Sequence, residues 1–357
     1  MSVIPQISLA LNAMATRFEI VLHGPNPVAL RAAGEEALAE IESIESQISL
    51  YRPTSQIARV NALAAKQPVR VTPPVFGLLE AARKLSAETN GTFDITIAPL
   101  VRCWGFMGGS GRRPTPDDIL MARQKIGMHQ LELDPETMTI RFKNEGVMID
   151  LGAIGKGYAL GCAAEQLREA GISSALLHGG TSTIYAVGHP PDQDHWKIAV
   201  QYPRTDVGSP NTEGIPILPL PAQTSEASLR ADQNDPPLLT TIALRDQALS
   251  VSAVWGRCFV DEGKLLGHVL DPRTGEPVHN AWLSAVVLPS AMESDALSTG
   301  LLVMGEEGHQ RLHALRPELR TLLVRPGENG TAFKVSSRGI EWNQYSRITP
   351  IMDTSSA

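Results

Sequence analysis

The run Asp150-Leu-Gly-Ala-Ile-Gly-Lys-Gly157 places three glycines within six residues, beside a lysine and directly ahead of a helical pattern. Gly152, Gly155 and Gly157 let the backbone approach a ligand closely. The helix start offers unpaired amides and a positive dipole end, and Lys156 adds a full charge. Together these suit a phosphate or pyrophosphate. The lysine is followed by glycine, not by Ser or Thr, so the run is not a Walker A loop. A tight strand-to-helix turn with an exposed lysine would use the same residues without any chemistry.

Three further segments carry chemistry-bearing residues. Ser290 and Glu293 have the spacing of a capping box, which starts a helix there. Asp295 and Thr299, four apart, then share one face near its start. A carboxylate and a hydroxyl are hard oxygen donors, appropriate to magnesium and not to zinc or copper. Such a site leaves room for backbone carbonyls, waters and substrate phosphate; the alternative is an acid merely stabilised by the helix dipole. His268 is expected at a strand end, with Asp271 in the turn Asp271-Pro-Arg-Thr-Gly275. That pair can serve as acid or base or hold a phosphate oxygen, although many strand-end histidines are simply packed or solvated. Between Gly91 and Phe106, alternation puts Asp94 and Thr96 on one face. A buried strand with an aromatic core explains Phe93 and Trp104 better than it explains Asp94.

These residues need elements to position them. Alternating Phe18, Ile20 and Leu22 read as a strand, and Leu38, Ile41, Ile44 and Ile48 as one face of a helix over 28–49. A helix over 75–88 stops at Asn90-Gly91. Thr115-Pro116-Asp117-Asp118 opens another, which Gly127 closes. A hairpin over 131–142 follows, then a strand over 147–151, the glycine-rich turn, a helix over 157–170 and a strand over 174–177. Strands over 248–253, 266–270 and 284–288 lead to a helix over 291–304. Meandering strands with interspersed helices predict an α+β fold. Residues 202–240 hold seven prolines among many polar residues and read as a surface insertion within a single domain spanning 1–357.

Composition excludes several classes. With 357 residues, 43% hydrophobic and 19% charged, the chain can bury a large core. A net charge of −7 and a pI near 5.8 argue against nucleic-acid binding. Cys103, Cys162 and Cys258 form no C-x-x-C pair and no complete disulfide framework; buried free thiols in a reducing compartment are expected. The first residues lack a basic region, and no apolar run is long enough for a membrane span, so a cytoplasmic protein is expected.

Six segments in this order resemble the FAD:protein FMN transferase family. They are Met14-Ala-Thr16 with Phe18; Ser49-Leu-Tyr-Arg52 with Ser55 and Asn61; Phe93-Asp94 through Trp104-Gly-Phe106; Asp150 to Gly157; His268 to Gly275; and Asp295-Ala-Leu-Ser-Thr299. The resemblance implies two lobes of mixed and antiparallel sheet with flanking helices, and FAD in the cleft between them. It implies that FMN passes from FAD to a Ser or Thr hydroxyl of an acceptor flavoprotein subunit, with Mg2+ and release of AMP. Asp295, Thr299 and the Ala153 carbonyl would bind the metal. Lys156 and the amides of Gly152, Gly155 and Gly157 would hold the pyrophosphate, and Met14 and Asp94 would lie near the flavin or adenosine. His268 would sit at the reacting phosphate as first candidate base, with Asp271 second. Gly179 and Gly180 keep the family's glycine pair, but hydroxyls at Thr181, Ser182 and Thr183 follow where many members carry an acid. In Val251-Ser252-Ala253, Ser252 alone keeps the common Thr-Ser-Gly pattern at the pocket floor. An FAD-binding protein without transfer, or a magnesium-dependent FAD pyrophosphatase, are the alternatives.

Overall fold

The computed structural model describes residues 4–202, 218–219, 238–262, 264–327 and 333–342. Most of the expected insertion at 202–240 lies outside them. The chain runs β1 (Gln6–Ala13), β2 (Thr16–His23), α1 (Pro27–Ile48), α2 (Gln56–Leu63), β3 (Val69–Arg70), α3 (Pro73–Glu88), α4 (Ala98–Cys103), α5 (Pro116–Arg123), β4 (Leu131–Asp134) and β5 (Thr139–Phe142). It continues with α6 (Gly155–Glu169), β6 (Ser174–Gly179), β7 (Thr183–Gly188), β8 (Trp196–Gln201), β9 (Leu218–Pro219), β10 (Leu238–Leu244), β11 (Gln247–Ala253), β12 (Cys258–Asp261) and β13 (Lys264–Gly267). The last elements are β14 (Leu283–Leu288), α7 (Ala291–Met304), α8 (Glu306–Leu315), β15 (Arg320–Pro326) and β16 (Phe333–Arg338).

Eight strands form one antiparallel sheet in the order β1-β2-β6-β7-β11-β14-β15-β16. Its strands alternate, so each of its two faces is covered by a different layer. On one face Leu177, Tyr185, Val187, Ala248, Val286 and Leu288 join the core built with α1, α6 and α7. On the other, Leu176, Ile184, Ala186, Leu249 and Val287 pack against Trp196, Ile198 and Val200 of β8 and Ile242 and Leu244 of β10. A separate small core gathers Leu100, Trp104, Phe106, Ile119, Ala122, Ile126 and Leu270, with Phe259 and Leu266 of the β12–β13 hairpin against it. The α+β architecture, an antiparallel sheet with helices packed on it, therefore matches the expectation.

Local chemistry explains the helix boundaries. Asn26 caps α1 by accepting from the amides of Val28 and Ala29, and Thr115 and Asp118 complete a reciprocal capping box on α5. Ser290 caps α7 through the Glu293 amide. The Glu293 carboxylate does not close the predicted box; it turns instead to Arg316.

Three expected elements differ. Residues 147–151 are not a strand: Asn61, reaching across from α2, takes both the amide and the carbonyl of Ile149, at 2.7 and 2.9 Å. Residues 94–97 form a turn ahead of α4, closed by the Asp94 side chain. The strand expected to end near Leu270 stops at Gly267, so His268 lies just past it. The three cysteines are free and half-buried, not fully buried. Among the described residues no helix is long and apolar enough to cross a membrane.

Candidate active site

The site forms where α6 starts against the first turns of α7. Gly157 makes that approach possible. A Cβ there would lie 2.7 Å from the Asp295 Cβ and would collide with the Ala291 carbonyl, so only glycine lets the two helices meet this closely. The Gly157 amide donates to Asp295 Oδ2 at 2.9 Å. A regular first turn would send that amide to the Ala153 carbonyl, which is left without its usual partner.

Asp295 is 3% exposed. Its Oδ1 accepts the Thr183 hydroxyl at 3.1 Å, and Lys156 Nζ stands 4.0 Å from the same oxygen. The ammonium instead donates to the Gly152 carbonyl at 3.2 Å. The turn itself is held by Asp150, whose Oδ1 accepts the Gly152 amide at 2.8 Å. Burial pushes the Asp150 carboxyl above its ordinary pKa, against the pull of the Gly152 amide, Lys156 and Arg257.

Asp295 is thus a buried carboxylate with two neutral donors and a single cation at the long distance of 4.0 Å. An arrangement of this kind is costly unless a further positive charge arrives. Thr299 lies one turn along, its hydroxyl 3.2 Å from Ser252 Oγ, and Ser252 also bonds Ser298 Oγ at 2.8 Å. Among the described residues no three His, Cys, Asp or Glu side chains are grouped to hold a metal. A cation here would draw on one carboxylate, the Thr299 hydroxyl and the freed Ala153 carbonyl. Each carboxylate oxygen retains a lone pair beyond its one donor, and this all-oxygen set fits magnesium.

His268 approaches from the β12–β13 hairpin. Its amide and its Nδ1 both meet the Arg257 carbonyl, at 2.9 and 3.1 Å. A carbonyl can only accept, so Nδ1 carries the proton and Nε2 keeps a free lone pair. Burial lowers the His268 pKa, and the charges of Arg257 and Lys156 lower it further. The imidazole is neutral and basic at neutral pH. Phe106 meets its ring edge-on, with centroids 6.4 Å apart.

The remaining predicted residues take varied places. Gly179 and Gly180 lie at the turn from β6 toward β7. Gly180 has φ +65°, and a side chain there would strike the Thr16 hydroxyl. Thr16 follows Met14 and Ala15, which turn the β1–β2 hairpin with φ of 50° and 57°. The Met14 amide is tied to Glu45 at 2.7 Å. Asp94 is buried, but its Oδ1 takes the amide and hydroxyl of Thr96, at 2.7 and 2.6 Å. Burial nonetheless pushes its pKa up. Its turn reaches the site indirectly, through the Ile95 carbonyl that accepts the Asp150 amide at 2.7 Å. The Asp271 carboxylate is clamped by Arg273, at 2.7 Å to Nη2 and 3.0 Å to Nε. Of the two candidates, His268 is the one that keeps an atom with an unengaged lone pair.

Two residues absent from the sequence-based set belong here. Arg257 is exposed and acts electrostatically on both Asp150 and His268. No motif surrounds it; its place follows from pairing with His268. Thr183 is fully buried on β7 and touches Asp295 directly. The run of hydroxyls after Gly180 was its only sequence signal.

Fold and site together define an α+β protein in which a helix-start lysine stands 4.0 Å from a buried carboxylate, with Arg257 and a neutral histidine close enough to act electrostatically on the same turn. The chain belongs to the ApbE family, whose sequence model matches residues 14–323. It is 28% identical over 308 residues to an FAD:protein FMN transferase of Vibrio cholerae serotype O1, covering 85% of this chain and 82% of that protein. Identity to the FAD:protein FMN transferase of Haemophilus influenzae is 27% over 341 residues, covering 93% of this chain and 90% of that protein. The apo flavinyl transferase ApbE of Pseudomonas stutzeri superposes with a TM-score of 0.75 at 26% identity, covering 94% of this chain and 95% of that one. The flavin transferase ApbE of Vibrio cholerae, at 24% identity, shares the fold with a TM-score of 0.75 over 94% and 98% of the two chains.

Proposed function

We propose that this chain is an FAD:protein FMN transferase that moves FMN from FAD to a Ser or Thr hydroxyl of an acceptor protein, with magnesium bound and AMP released. The observation that carries the reading is the 4.0 Å separation of Lys156 from a buried, otherwise uncompensated Asp295. Opposite charges that stand near each other without a direct hydrogen bond leave each free for a ligand of the other sign. A magnesium-bound diphosphate is such a ligand.

The residues divide the work. Lys156 and Arg257 would place positive charge on the diphosphate oxygens, and the positive end of the α6 dipole would add to it, although the Gly152, Gly155 and Gly157 amides are themselves taken by Asp150, the Leu151 carbonyl and Asp295. Asp295, Thr299 and the Ala153 carbonyl would hold magnesium, which when bound supplies charge neutralisation to the diphosphate and to the departing AMP. His268 Nε2 would take the proton from the acceptor hydroxyl. The hydroxyl oxygen then bonds to the FMN-side phosphorus, and the bond from that phosphorus to the bridging oxygen breaks as AMP leaves. Such a reaction asks chiefly for positioning and charge balance, which suits a site with one base and several fixed cations.

The test is incubation of the purified protein with FAD, Mg2+ and a candidate acceptor subunit. Covalent flavin on the acceptor supports transfer. Free FMN and AMP with an unmodified acceptor would make the chain a pyrophosphatase, and intact FAD would make it a binding protein.

A further inference from the structure

Thr183 meets the site through its hydroxyl alone. Its side chain is fully buried between the sheet and α7. Oγ1 donates to Asp295 Oδ1 at 3.1 Å and accepts the hydroxyl of Ser250, its partner across β11, at 3.2 Å. The direction of this relay is fixed by proton count: a carboxylate only accepts, so Thr183 must donate forward, and Ser250 supplies the donor behind it.

The consequence concerns Lys156. An ammonium and a carboxylate at such low exposure would ordinarily close to ~2.8 Å and satisfy each other. Here they stand at 4.0 Å. Two neutral donors, Thr183 on Oδ1 and the Gly157 amide on Oδ2, pin the carboxylate in a plane that does not follow the lysine. Resting on the functional reading above, we propose that Thr183 is a positioning residue. It fixes the Asp295 carboxylate so that the acid stays open to a divalent cation and the lysine stays open to phosphate. Ser250 acts one bond further back by orienting the Thr183 hydroxyl. Without the hydroxyl, Asp295 swings onto Lys156 and the two charges cancel.

The test is Mn2+ binding followed by electron paramagnetic resonance in the FAD-free protein, for the wild type, Thr183→Val, Thr183→Ser and Ser250→Ala. The valine is nearly isosteric and removes only the donor. It should weaken Mn2+ binding by roughly 10- to 100-fold, the range expected when the group orienting a ligand is lost. Thr183→Ser should restore binding close to wild type, and Ser250→Ala should show a smaller loss in the same direction. Unchanged Mn2+ affinity in Thr183→Val overturns the inference, as does an equal loss in valine and serine variants, which would indicate packing alone. If a melting curve shows the valine variant unfolded, Ser250→Ala decides: a measurable loss supports the relay and none overturns it. A wild type that binds no Mn2+ also overturns it. A wild type that binds Mn2+ but transfers no flavin refutes the functional reading, while the variant series still decides the positioning role.

Discussion

Two acids of α7, two residues apart, live in opposite electrostatic regimes. Glu293 grips Arg316 at 2.7 and 3.2 Å, and the same guanidinium takes Glu88 of α3 at 2.8 Å. Three segments are thereby tied together by one guanidinium shared between two carboxylates. Asp295, more deeply buried, has two neutral hydrogen-bond donors and a lysine held at 4.0 Å. Good ion-pair geometry marks an acid that works for the fold. A buried acid denied its cation marks one that works for a ligand, because leaving it unpaired is otherwise unfavourable.

The sharpest way to break this contrast is to neutralise each acid's environment in turn. Asp295→Asn should lower transfer by roughly 1000-fold, since it removes the charge that holds the metal. Its thermal stability should move little, because the loss of a strained buried charge offsets weakened hydrogen bonds. Removing divalent metal with a chelator should have the same effect on the wild type and little on the variant. A steady-state flavinylation assay beside a melting curve checks both. Near-wild-type rates in Asp295→Asn would place the metal elsewhere.

His268→Ala should lower turnover by about 100-fold or more while FAD affinity changes little, as expected for loss of a general base. A large affinity loss instead would make it a binding residue. The pH profile sharpens the point. The His268 pKa is lowered, so its neutral, active form persists below 6.5, and the rate should climb through a midpoint under 6.5 and then level off. Lys156→Met removes one of the charges that lower it, so the residual activity should show that midpoint moved upward. Structural histidines give a different limb. Burial pushes His178 and His313 each down to about 4. They are neutral when folded and take up protons on unfolding below about 6.5, so their stability contribution is complete above that pH and is lost as pH falls from 6.5 toward 4. A series of melts from pH 7.5 to 4 should show this loss, and His268→Ala should retain it.

On the scaffold side, Arg316→Met should cost about 1–3 kcal/mol, between the values for an exposed and a buried pair, since it leaves the half-buried Glu88 and Glu293 without their cation. Turnover per folded molecule should be preserved. Denaturant titration beside active-site-normalised rates checks this, and a turnover loss exceeding the folded fraction lost would mean that the triad also shapes the site.

Much of the site was legible in the sequence because its parts are local. The Asp150–Gly157 turn carries its own glycines, and Asp295 and Thr299 share a face by helical spacing alone. What was not legible depends on long-range pairing. Residues 147–151 have the apolar content of a strand, yet both backbone groups of Ile149 bond to the Asn61 side chain, 88 residues away. The Asp94 turn draws its partner from Thr96, and alternation cannot distinguish that from a strand. Thr183 and Arg257 acquire their roles from β7 facing α7 and from the rung joining Arg257 to His268. No spacing rule encodes either. β1 alternates Ile7, Leu9 and Leu11, and only its packing on α1 makes that alternation a strand of the main sheet.

The smallest test returns to the contrast between strain tolerated near the site and satisfaction elsewhere. Met14 and Ala15 turn the β1–β2 hairpin with φ of 50° and 57°, a left-handed region that glycine adopts more readily than alanine. A non-glycine residue in this region costs roughly 1–2 kcal/mol. Glycine relieves that cost but gives back about 0.5–1 kcal/mol through the greater freedom of the unfolded chain. Ala15→Gly should therefore stabilise the fold by about 0.5–1 kcal/mol, measured by denaturant midpoint at constant slope. The turn is anchored by the Met14 amide on Glu45, and Thr16 packs under Gly180, so its geometry should persist and transfer rates should change little. Destabilisation instead would mean that neighbouring contacts, and not the hairpin's own backbone preference, hold the turn in its left-handed conformation.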